Sequence, residues 1–137
     1  MENYRFIKDL TSDIMFEAYG RDLKEVFENA AKALFDIICE RQSIEKKEIT
    51  EIRAEGNDAK DLMYNWLQAL IASVDIDAMF YNDFNVKEIT EKKVVANCLG
   101  EEISAEKGET VVKAVTYYNF EFEKTQEGYK TRVVVDI

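Results

Sequence analysis

Two aspartates at opposite ends of the chain have residue types and positions that could do chemistry. Asp13 stands just ahead of a strand pattern. Asp136 closes the segment RVVVDI, and Ile137 after it adds carbonyl oxygens and a terminal carboxylate. If the start of the early strand meets the end of the last one, several hard oxygens converge. That is a crude calcium site with too few protein ligands, completed by water or by a partner. On residue types alone a plainer assignment weighs more, with Asp13 capping a turn and Asp136 solvated at a frayed end. The chain has no histidine. It therefore lacks the usual general base near neutral pH, the Ser-His and Cys-His nucleophile pairs, and the commonest transition-metal ligand. Ser12 and Ser43 have no imidazole to activate them, and no P-loop, dinucleotide fingerprint, CxxC or nucleophile elbow is present. Asp75 and Asp77 lack the glycine-containing spacing of an EF-hand and read as loop carboxylates.

The elements that must position Asp13 begin with the stretch from Asp9 to Ile38. Ile14, Phe16 and Ala18 alternate with Met15, Glu17 and Tyr19, the period of a strand with two different faces. Gly20 breaks it. Asp22 offers an N-cap and Glu25 follows three residues later, as in a capping box. Leu23, Val26, Phe27, Ala30, Ala33, Leu34, Ile37 and Ile38 then recur at helical spacing. Ahead of this, Tyr4 to Ile7 predicts a short strand that is interrupted at Lys8 and Asp9.

Glu40 to Lys47 reads as a connection and Glu48 to Ala54 as a strand. Glu55 to Asp58 is a turn cluster. A second amphipathic helix carries Leu62, Met63, Trp66, Leu67, Leu70, Ile71 and Val74 on one face, with Trp66 as a core residue. Phe84 to Ile89 and Lys93 to Leu99 predict a hairpin, and Gly100 to Gly108 a polar loop. Thr110 to Glu123 is the longest strand signal, with Val112, Ala114, Thr116, Tyr118, Phe120 and Phe122 on one face. Thr125 to Gly128 turns into a last strand, Tyr129 to Ile137, which puts Asp136 on the face of Lys130, Arg132 and Val134. The expectation is an α+β sandwich in one domain, 1–137, with two amphipathic helices on a mostly antiparallel sheet of about six strands.

The 137 residues are 47% hydrophobic with a formal net charge of −10. That composition suits a folded core and disfavours strong direct binding to a phosphate backbone, which relies on dense Lys and Arg contacts. A basic protein partner fits better, although acidity also serves plain solubility. No apolar run has the length of a membrane span, and MENYRFIKDL lacks the order of a secretory signal. Cys39 and Cys98 form neither a disulfide framework nor a zinc site and read as reduced thiols, so a cytoplasmic protein is expected.

Along essentially the whole chain, TSDIMFEAYG, DLKEVFENAAKALFDII, DLMYNWLQALI, GETVVKAVTYYNF and the terminal RVVVDI resemble, in order and spacing, the archease family. The resemblance implies an α+β sandwich. It also implies a small acidic accessory protein of RtcB-type RNA ligases, which join tRNA halves after intron removal. Such a protein is not an enzyme. It promotes guanylylation of the ligase by GTP and so allows repeated turnover.

By the same resemblance Asp13, Asp136 and Ile137 hold a divalent ion, typically calcium, with magnesium or manganese as alternatives. Lys113, in the VKAVTY segment, becomes a contact to the ligase or its nucleotide; by general rules it is equally a lysine on an exposed strand face. Two positions depart from the family pattern. Leu10 stands where a histidine is usual, and Tyr118 replaces the frequent histidine of the TYH segment. Against this reading stand a metal-dependent phosphoester hydrolase using the same carboxylates, and an ion-independent chaperone-like interaction module.

Overall fold

The structure is a computed structural model that describes residues 3–7 and 12–137. Among the described residues seven strands and two α-helices follow in the order β1 (Tyr4–Ile7), β2 (Asp13–Gly20), α1 (Leu23–Ile38), β3 (Glu48–Glu55), α2 (Ala59–Ile76), β4 (Met79–Ile89), β5 (Lys93–Glu102), β6 (Ala114–Thr125) and β7 (Gly128–Asp136), with a 3-10 turn at Arg41–Ser43. The architecture is α+β, as the patterning predicts. The strands form two sheets, however, ordered β1-β2-β7-β6 and β3-β5-β4, and every pairing is antiparallel. The predicted interruption at Lys8 and Asp9 lies outside the described residues.

Both helices start on the same motif. Asp22 accepts from the Glu25 N–H at 2.8 Å and Asp58 from the Asp61 N–H at 2.8 Å. The reciprocal bond runs one residue further out than in a capping box. Glu25 accepts from the Arg21 N–H and Asp61 from the Asn57 N–H, which satisfies donors just outside each helix.

The buried residues of α1 include Ala31 and Phe35 as well as the predicted set other than half-buried Leu23, so its apolar arc is too wide for one sheet. Accordingly α1 packs on β2 and β7 of one sheet and β4 of the other, and α2 packs on β6 and β3. Trp66 is fully buried between the helices, and its Nε1–H donates to the Phe27 carbonyl at 3.1 Å. The helices also close sheet edges. Glu28 accepts from the Val86 N–H on β4 at 2.9 Å, and Lys24 donates to the Val86 carbonyl at 3.0 Å. On β6, Gln68 Oε1 accepts from the Val115 N–H at 2.8 Å and Tyr64 donates to the Val115 carbonyl at 3.1 Å. Backbone groups that would otherwise offer a pairing edge are thereby occupied.

Two strands differ from the sequence pattern. The β4–β5 pairing runs on through Gly100, which had read as a loop residue. A Cβ there would meet the Phe80 carbonyl oxygen at 1.9 Å, so only glycine allows the two backbones this approach. In β6 the alternation is broken. Thr116 pairs with Val134 and Glu121 with Arg132, so Tyr117, Tyr118, Asn119 and Phe120 all stand opposite Val133. Asn119 adopts φ 54°, a left-handed conformation that asparagine tolerates. The bulge flips the phase. Val115 and Phe120 enter the core, while Tyr118, expected on the face of Phe120, is exposed.

Candidate functional site

The two carboxylates meet. Asp13, the first residue of β2, is directly opposite Asp136, the last residue of β7. The Ile137 N–H donates to the Ser12 carbonyl at 3.1 Å. That bond flanks the aspartate pair and places it at the non-hydrogen-bonded position of the ladder, where opposed Cα atoms approach to about 4.5 Å. A third strand end joins them. Ala114 pairs with Asp136, and the Lys113 N–H donates to the Asp136 carbonyl at 2.8 Å. Residues 12, 13, 113, 136 and 137 are thus assembled by backbone hydrogen bonds from the two ends of the chain and the start of β6. Ile137 reaches the site and is half-buried there, as are Asp13 and Asp136, while Lys113 is exposed.

Directly opposed like charges destabilise a strand pair. Among the described residues neither the Asp13 nor the Asp136 carboxylate has a hydrogen bond or an ion-pair partner. The donor chemistry, two hard oxygen groups with uncompensated charge, fits calcium or magnesium better than a soft metal. It is also incomplete. Among the described residues no cluster of three or more His, Cys, Asp or Glu side chains is arranged to hold an ion.

Two strand pairs along the same outer face lies a charged group that the alternation pattern did not reveal. Glu17 is 2% exposed. Its carboxylate accepts from Arg5 on β1, from Tyr19, and from Arg132 on β7, with contacts of 2.9–3.2 Å. Burial by itself pushes its carboxyl up, but the hydrogen bonds from Arg132, Tyr19 and Arg5 outweigh that and hold it down to about 2. Glu17 is therefore a permanent anion that ties three strands together. The signal available in the sequence was only a glutamate between Phe16 and Ala18 at the centre of a strand, and its arginine partners depend on a register that sequence does not encode.

The remaining reactive side chains are quiet. Cys39 and Cys98 are free, buried thiols, and burial pushes both up to about 12, so neither supplies a thiolate near neutral pH. Ser43 donates to the Glu40 carbonyl. Tyr118 is 66% exposed on the β6 bulge, and Leu10 lies outside the described residues. Among the described residues no helix is long and apolar enough to cross a membrane.

Residues 4–137 match the model of the Archease protein family. The chain is 42% identical over 133 residues to the protein archease of Pyrococcus abyssi, covering 93% of this chain and 94% of that one. It is 37% identical over 141 residues to the protein archease of Sulfurisphaera tokodaii, with both covered over 100% of their length. The solution structure of Methanobacterium thermoautotrophicum protein 1598 superposes with a TM-score of 0.83 at 34% identity, covering 100% of both chains. The crystal structure of a Thermotoga maritima archease, described as a possible chaperone, superposes with a TM-score of 0.69 at 22% identity over 97% of each chain, a likeness of fold alone.

Proposed function

The chain belongs to the archease family, and on that premise we propose that it is a cytoplasmic, non-catalytic accessory protein of an RtcB-type RNA ligase in tRNA splicing. It promotes guanylylation of the ligase by GTP and lets the ligase turn over repeatedly. The observation that carries this reading is the register of β2 and β7, which sets Asp13 against Asp136 with no ion-pair partner for either among the described residues.

In this reading Asp13, Asp136 and the oxygens of Ile137 hold one divalent cation, calcium by preference. Such an ion, when bound, would supply electrostatic stabilisation of the negative charge of a partner's triphosphate. The protein's residues do the placing. Three strand ends fix the two half-buried carboxylates side by side at one end of the sheet. Two carboxylates cannot fill the six to eight oxygen positions of calcium, so most of them fall to water and to the ligase with its nucleotide. Lys113, exposed and one residue from the strand position paired with Asp136, is poised to contact the ligase or its nucleotide.

The test is RNA joining by the ligase from the same source, with substoichiometric amounts of this protein. Wild type should convert single-turnover joining into multiple turnover, and folded Asp13→Ala should not. Full stimulation by Asp13→Ala would remove the carboxylate pair from the account.

A chaperone-like module that needs no ion is the second reading. It draws on the exposed apolar side chains Ile49, Ile76, Val111, Tyr117 and Tyr118, which are 61–81% exposed. It expects stimulation that is indifferent to Asp13→Ala and to chelators. Phosphatase or nuclease activity of the protein alone, with calcium, magnesium or manganese, would favour the hydrolase reading instead.

A further inference from the structure

An apolar cleft of about 390 Å³ opens between the C-terminal halves of the two helices and the segment that leads into β6. Its floor is Ile38, Ile71, Phe80 and Val112, each no more than 9% exposed. Its rim carries Ile103 and Val111, 43% and 81% exposed. The rim is not a loose flap. The Glu109 N–H donates to the Ile38 carbonyl at 2.9 Å, Glu40 N–H to the Lys107 carbonyl at 2.8 Å, and Lys113 N–H to the Asp136 carbonyl at 2.8 Å. With the backbone tied on both sides, Val111 is held out in solvent and the cleft is preformed.

The charge around the cleft is one-sided. Asp75 and Glu109 line it, both exposed and without an ion-pair partner among the described residues, and no lysine or arginine lines it. Two lysines flank the lining segment: Lys107 is turned away, its Nζ bonded to the Ser43 carbonyl and paired with Glu101, and Lys113 lies at the end of the segment beside Asp136, its N–H bonded to the Asp136 carbonyl. An apolar floor under an acidic rim fits an apolar side chain flanked by cations. A second copy of this chain is disfavoured, because its own net charge is −10.

We propose that this cleft is a docking pocket for the partner ligase, receiving one apolar side chain from a segment in which the neighbouring residues are lysine or arginine. The identity of the partner rests on the proposed function; the pocket and its complementary chemistry do not. The five-residue span from Glu109 to Lys113 joins this pocket to the Asp13–Asp136 edge. One partner could therefore be gripped at the cleft while the carboxylates reach its nucleotide.

The experiment titrates the wild type and two double variants into the ligase and reads joining turnover. The variants are Ile103→Asp with Val111→Asp, and Asp75→Lys with Glu109→Lys. All four positions are exposed, so unchanged melting temperatures are expected. Docking predicts a half-maximal concentration raised about tenfold or more in both variants, with stimulation recovered at high concentration. Asp136→Ala should instead lower the plateau. An unchanged half-maximal concentration in both double variants overturns the proposal and leaves the proposed function standing.

If the wild type does not stimulate at all, the proposed function fails, and a ¹⁵N NMR titration decides the cleft separately. The probes are a short peptide with one leucine between lysines and its glutamate counterpart. Saturable shifts confined to residues 71–75 and 103–112 with the lysine peptide alone support the pocket. No saturable shift, equal shifts with both peptides, or self-association of the protein through these residues overturns it.

Discussion

Glu17 shows what a single buried charge does in this fold. Its carboxyl is held down to about 2 from an ordinary 4.5, so the unfolded chain takes up its proton first as pH falls. The stability that Glu17 contributes is therefore complete above about pH 4.5 and is lost between there and about 2. Glu17→Gln should cost about 1–3 kcal/mol at neutral pH and flatten the acid limb of the stability curve, read by urea unfolding at a series of pH values. An unchanged acid limb would show that the ion cluster does not hold the three strands.

The aspartate pair behaves in the opposite sense. Opposed carboxylates repel, so in chelator Asp136→Asn should be as stable as wild type or a few tenths of a kcal/mol more so. In calcium the wild type should gain about 1.4 kcal/mol at ten times Kd while the variant gains nothing, so the melting curves exchange order. Equal melting temperatures of the wild type in chelator and in millimolar calcium would contradict an ion at this site. Both aspartates were legible in the sequence as unassigned carboxylates. Their direct opposition was not, because it depends on the register of strands more than a hundred residues apart, and Glu17 was hidden for the same reason.

At the level of elements, local chemistry predicts well and pairing does not. The Asp22 cap, the apolar faces of α1 and α2, and the approximate spans of most strands follow from spacing, whereas the Asp58 cap read only as part of a turn cluster. The division into two sheets does not, since nothing in a strand's own alternation names its neighbour. The β6 bulge is the sharpest case. TVVKAVTYYNFEFE alternates without a break, yet Asn119 turns left-handed and Val115 and Phe120 enter the core out of phase. Helix side chains make this workable, because Gln68 and Tyr64 take both backbone groups of Val115. Gln68→Leu leaves the buried Val115 N–H without its acceptor and should cost about 1–3 kcal/mol, seen as a lower urea midpoint with an unchanged slope. A neutral result would mean that the edge of β6 is satisfied by solvent.

For the whole molecule, the fold brings distant segments to one surface. The chain ends supply Asp13 and Asp136, the segment before β6 supplies Lys113 and the rim of the apolar cleft, and the chain as a whole carries a net charge of −10. A protein of this charge meeting a basic, RNA-binding partner should associate more slowly as ionic strength rises from about 50 to 500 mM, by stopped-flow mixing, while dissociation changes less. A salt-independent association rate would remove electrostatic steering from the account.

In the proposed function the carboxylate pair acts on the guanylylation step of a partner ligase. Labelled GTP, the ligase from the same source and calcium should give covalent ligase–guanylate slowly alone, and rapidly with substoichiometric wild-type protein. Asp136→Ala, folded and added at the same concentration, should leave the slow rate. Acceleration by Asp136→Ala equal to that of the wild type would contradict the claim.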